Sequence, residues 1–169
     1  EAFQKNPLNL IKLFQNGLKS GHLIHPNALH LVSENMAQID EKFISKKEHV
    51  TIFLDLLLNY EDPERALRRM NEVGFLGKFI PEFDRIVGMM QFNMYHKYTV
   101  DEHTIQCIKI LSKIEKGLLK EDLPLASKIL EDGLDRSVLY LSVLLHDIGK
   151  GLPDDHSLAG AIISKEITL

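Results

Sequence analysis

An all-α fold follows from three features of this 169-residue sequence. Apolar residues recur at helical spacing along nearly its whole length. Helix-start signals recur at Asn6-Pro7, Asp62-Pro63 and Asp135. No stretch alternates apolar and polar residues for long enough to predict a strand. The expected architecture is a multi-helix region followed by a second helical domain, with a boundary near residue 91.

Taken in order, Asn6-Pro7 opens a first helix carrying Leu8, Ile11, Leu13, Phe14 and Leu18, which ends at Gly17, Ser20 and Gly21. Pro26 starts a second, with Ala28, Leu29, Leu31, Val32, Met36 and Ile39. Ser45 with Glu48 reads as a capping box for a third helix through Val50, Phe53, Leu54, Leu57 and Leu58. Asp62-Pro63 begins a fourth with Ala66, Leu67, Met70 and Val73. A short piece from Phe75 to Ile80 follows, then a helix holding Phe83, Ile86, Val87 and Met90. Residues 91–99 read as a connecting loop. Val100-Asp101 caps the next helix, whose inner stripe is His103, Cys107, Ile110, Leu111, Ile114 and Leu118. A short helix runs from Leu125 to Leu130. Asp135 caps a helix expected to be buried nearly all round, since only Tyr140 and Ser142 interrupt Val138 to Leu145. Asp154 or Asp155 caps a last helix with His156, Gly160, Ile163 and Ile167 on one face.

Composition bounds the function. Hydrophobic residues make up 44% and charged residues 26%, a globular profile, and the formal net charge of −4 makes nucleic acid an unlikely partner. Apolar runs fall short of the roughly 18 residues that a spanning helix needs, so no membrane association is expected. The single Cys107 cannot form an internal disulfide and fits the reducing cytoplasm. A chain that starts with Glu1 and ends at Leu169 inside a helical pattern reads as a piece of a longer protein.

The chemistry concentrates at Leu144-Leu145-His146-Asp147-Ile148-Gly149-Lys150. A carboxylate at the end of an apolar helix is expensive unless a cation or metal answers it. His103 and His156 lie on or near the inner stripes of their helices. With His146 and Asp147 they make a mixed His and carboxylate set suited to Zn, Mn or Fe, or with more water to Mg. Lys150 can offset charge on a phosphate, or complement the helix end in solvent. His96 reads as a structural loop residue or, alternatively, a substrate contact. The basic cluster Arg65, Arg68 and Arg69 reads as a solvated face, and Met89, Met90 and Met94 as core or interface filler.

Val100-Asp101-Glu102-His103-Thr104, His146-Asp147-Ile148-Gly149-Lys150 and Asp155-His156-Ser157-Leu158-Ala159-Gly160-Ala161 together resemble the HD superfamily of metal-dependent phosphohydrolases. More specifically, Asn93-Met94-Tyr95-His96-Lys97-Tyr98-Thr99, Asn6-Pro7-Leu8-Asn9-Leu10 and Leu67-Arg68-Arg69-Met70-Asn71-Glu72 are similar to the bifunctional uridylyltransferase/uridylyl-removing enzymes. The resemblance implies that residues 1–91 are the helical linker region between nucleotidyltransferase and HD domains, and 92–169 the N-terminal part of the HD domain. It implies His103, His146 and Asp147 as ligands of a divalent metal ion, with His156 as a ligand to a second. Asp147 and Lys150 would be catalytic. The implied reaction is hydrolysis of UMP from the uridylylated PII signal-transduction protein, in contact with other domains of the same polypeptide. The family pattern closes with a further Asp that this chain does not reach before Leu169, so the ligand set is expected to be incomplete and this stretch alone inactive. The transferase signature, a Gly-Ser followed by paired aspartates, does not occur. Two alternatives remain at this level: an HD phosphohydrolase of a free signalling nucleotide, and a non-catalytic helical scaffold.

Overall fold

A computed structural model describes residues 2–90, 98–153 and 156–168. The described residues are helical with no strand, and the chain divides into two compact units, Glu1–Val87 and Gly88–Leu169.

The first unit contains α1 (Ala2–Lys5), α2 (Leu8–Ser20), α3 (Pro26–Glu34), a 3-10 turn (Met36–Gln38), α4 (Glu41–Ile44), α5 (Lys47–Leu58), α6 (Pro63–Glu72), α7 (Phe75–Phe79) and α8 (Pro81–Asp84). Helix α2 packs against α5 and α6, and α6 leads into α7 and α8. Its core is aromatic. Phe14 meets Phe75 at 5.2 Å, Phe75 stacks on Phe79 at 5.8 Å, and Phe53 closes on Phe79 at 5.0 Å. Such pairs add to the stabilisation from burial alone. Helix α6 shows how sequence sets the packing. Pro63 occupies its first turn, Ala66, Leu67 and Met70 are buried, and Arg69 stays outside in an ion pair with Glu72. Gly74, at φ 79°, takes the left-handed conformation that lets α7 start at once.

Three local expectations are corrected here. The capping box does not form, because the Ser45 hydroxyl donates back to the Glu41 carbonyl as α4 ends, and Lys46 precedes α5 instead. The second helix stops at Glu34, where Asn35 turns the chain into the 3-10 segment before Ile39. The helix expected through Met90 ends at Asp84: Gly88 adopts φ 68°, leaving Val87 and Met90 exposed.

The second unit holds α9 (Val100–Glu115), α10 (Pro124–Glu131), α11 (Arg136–Leu145) and α12 (His156–Thr168). Helix α9 packs on α10 and α11, and α12 packs on α11. Pro124 and the Asp135 carboxylate, which accepts from the Ser137 and Val138 amides, start α10 and α11. Asp101, in the first turn of α9, accepts from the Gly88 amide at 3.1 Å.

Two faces differ from expectation. The buried side of α9 carries Val100, Thr104, Ile105, Ile108 and Leu111, so Ile110 and Leu118 face outward and His103 and Cys107 sit at the edge of the buried face. Helix α11 is not buried all round. Tyr140, Leu144 and Leu145 are covered, while Val138 is exposed because the neighbouring helices cover one side only.

Candidate metal centre

Helices α9 and α11 run antiparallel, as contacts at their two ends show. At one end, Glu115 near the C-terminus of α9 meets Arg136 and Tyr140 near the N-terminus of α11. The Tyr140 hydroxyl donates to Glu115 Oε2 at 2.5 Å, Arg136 Nε pairs with Glu115 Oε1 at 3.1 Å, and the Arg136 guanidinium lies 4.5 Å from the Tyr140 ring centroid. Tyr140 is fully buried. Burial and the hydrogen bond to Glu115 push its phenol up to about 12.

At the other end, that alignment brings the start of α9 to the finish of α11. The rings of His103 and His146 meet edge to face with centroids 5.6 Å apart. His146 Nδ1 donates to the Val143 carbonyl at 2.7 Å. A carbonyl only accepts, so the proton of a neutral ring sits on Nδ1 and the lone pair on Nε2. Nε2 in turn lies 3.2 Å from Asp147 Oδ2. Two electron-pair donors facing each other require a cation between them, either a proton or a metal ion. With a proton in that place, the Asp147 hydrogen bond raises the His146 pKa against the opposing effect of burial.

Asp147 is only 8% exposed. Burial alone would push its carboxyl up, but hydrogen bonds from His146 and Lys150 outweigh that and hold it at about 2. Lys150 Nζ lies 2.8 Å from Asp147 Oδ2 with its side chain largely covered. One turn of chain thus seats the lysine on the aspartate, where the sequence suggested a group directed at substrate.

Among the described residues, the donor atoms that converge are those of His103, Cys107 and His146, all within 4.8 Å of one another. Cys107 was not among the sequence-derived site residues, although its spacing of one helical turn from His103 was a readable signal. Burial and the Asp147 charge push its thiol up, and Lys150 opposes them. The donor chemistry fits a divalent ion. His156 is exposed at the first position of α12 and stands outside the converging set. Its backbone is nonetheless close: a Cβ at Gly149 would overlap the His156 carbonyl and lie 2.6 Å from Gly160 N. Gly149 therefore lets α12 approach the His-Asp turn. His96 and the cap at Asp154 or Asp155 lie outside the described residues.

Comparison with known proteins gives this geometry a family. Residues 1–79 match the model for the uridylyltransferase GlnD third domain, and residues 100–169 match the HD domain. The chain is 56% identical over 167 residues to the bifunctional uridylyltransferase/uridylyl-removing enzyme of Cereibacter sphaeroides, and 59% identical over 167 residues to that of Ruegeria pomeroyi. In each case the match spans 99% of this chain and 18% of the relative's length. No solved structure is detectably similar to the chain. Along nearly its whole length the chain thus resembles a segment, about a fifth, of the bifunctional uridylyltransferase/uridylyl-removing enzymes, and its second unit matches the HD domain.

Proposed function

We propose that the second unit belongs to the uridylyl-removing centre, which hydrolyses UMP from a uridylylated tyrosine of the PII signal-transduction protein in the cytoplasm. The observation that carries this reading is the pairing of His146 with Asp147 at the end of α11, directly beside His103 of α9, within a region that matches the HD domain. No described helix is long and apolar enough to cross a membrane, which agrees with a protein substrate met in solution.

His103, His146 and Asp147 would hold a divalent ion, with His156 as the proposed ligand of a second. When bound, the ion supplies Lewis acidity toward the phosphoryl oxygens and acidifies water. The chain's own residues prepare for it. The Val143 carbonyl fixes the His146 tautomer so that Nε2 presents a lone pair, the usual outer support for a histidine ligand. Lys150 keeps Asp147 ionised, which makes the carboxylate a ligand and an acceptor that orients the attacking water. Asp147 is the proposed catalytic residue. Lys150 acts through it, and its charge also offsets that on the phosphate. Water adds to phosphorus, the bond from phosphorus to the tyrosyl oxygen breaks, and the products are UMP and the free phenol.

The first unit is, in this reading, the helical region that joins this domain to others of the same polypeptide. The test is substrate competition in an enzyme carrying this region. UMP release from uridylylated PII should be favoured over turnover of free nucleotides. Faster hydrolysis of a free nucleotide would replace this reading with that of a nucleotide phosphohydrolase.

A further inference from the structure

Cys107 follows His103 by one helical turn, so both side chains leave the same face of α9. Its Sγ lies 3.6 Å from His103 Nε2, and the His146 donor atom comes from the end of a different helix. Donors bound to one tetrahedral zinc-like ion at about 2.0–2.3 Å stand roughly 3.5 Å apart. The sulfur and the imidazole nitrogen already have that separation, and the third donor is within 4.8 Å. Asp147, whose Oδ2 lies 3.2 Å from His146 Nε2, is also held by Lys150 at 2.8 Å and stands beside these donors. The donors that converge are therefore two imidazoles and a thiol, a set that favours zinc or cobalt over magnesium.

We infer that Cys107 supplies a thiolate donor to the ion held by His103 and His146, which makes the centre selective for a borderline-soft divalent ion such as Zn2+. The inference rests on the metal-dependent reading of the site given above. Binding exchanges the S–H bond for a sulfur–metal bond and releases the proton to solvent, with no change in oxidation state.

Cobalt reads the thiolate directly. Titrating Co2+ into the 169-residue chain should produce a near-ultraviolet thiolate-to-cobalt charge-transfer band. Cys107→Ser should abolish that band, keep weaker visible bands from the imidazoles, and bind at least about 10-fold more weakly. Because a serine variant can misfold, the native thiol gives an independent readout: Zn2+ should protect Cys107 from alkylation and Mg2+ should not. Cobalt binding without the charge-transfer band, or alkylation unchanged at saturating Zn2+, overturns the thiolate assignment and leaves the metal centre standing. Failure of both the unsubstituted chain and an enzyme carrying this region to bind either Co2+ or Zn2+ overturns both.

Discussion

Replacing Tyr140 by phenylalanine removes one hydroxyl from a fully buried site and leaves the ring in place. The ring can still lie under the Arg136 guanidinium, and Glu115 keeps its ion pair with Arg136, so neither partner is stranded. What is lost is a 2.5 Å hydrogen bond to an ionised carboxylate, a class of interaction that contributes roughly 1.5–3 kcal/mol. The same contact makes stability depend on alkaline pH. An unfolded tyrosine titrates near 10, whereas folded Tyr140 is pushed up to about 12. Its contribution is complete below pH 10 and drains away as pH rises toward 12. Denaturant unfolding followed by circular dichroism should show Tyr140→Phe less stable by that amount at pH 8. The gap should close as the pH approaches 12. A loss below about 0.5 kcal/mol at pH 8, or a gap that does not change with alkaline pH, would refute the claim that this hydroxyl pins α11 to α9. Loss of that pin would also loosen the alignment that brings His146 to His103.

Gly149→Ala places a methyl against the backbone of His156 and Gly160, which cannot rotate away. It should cost at least about 1–3 kcal/mol in thermal or denaturant unfolding, whereas a neutral effect would show that α12 does not rest on this glycine. His49 is buried, its Nδ1 donates to the Phe43 carbonyl at 2.8 Å, and burial lowers its pKa below 6.5. The unfolded chain therefore takes up the proton first, and stability should fall as pH drops below 6.5. His49→Gln should flatten that acid slope, and an identical slope in both proteins would remove His49 as its source.

The helix starts were legible because they rest on local chemistry. Pro26 and Pro63 each open a helix, and the Asp135 carboxylate caps α11 through two backbone amides, whereas Pro124, read as part of a connection, in fact starts α10. The capping box at Ser45 was not legible, because the hydroxyl had a competing acceptor in the turn before it. Faces were harder than boundaries. In α9, Ile110, Leu111 and Ile114 offer apolar residues on several sides, and only packing against α10 and α11 selects the side with Ile105, Ile108 and Leu111. The breadth of burial of α11 was overestimated for the same reason, since an apolar run records what a helix can bury and not what covers it.

At the site, the His146-Asp147 pair and its tie to His103 could be named from motifs. The position of Lys150 on Asp147 and the entry of Cys107 could not, because both depend on how one turn of chain and two distant helix ends are brought together. His156 shows the reverse: a motif position whose exposed side chain stays away from the converging donors although its backbone packs close by.

The most direct measurement follows both activities of an enzyme carrying this region after His146→Ala. UMP release from uridylylated PII should fall by more than about 100-fold, because a direct ligand is removed where loss of a supporting contact already costs 10–100-fold. UMP transfer to PII should persist. Retained UMP release in that variant, or parallel loss of both activities with the fold intact, would contradict the assignment of the His146-Asp147 centre to UMP removal.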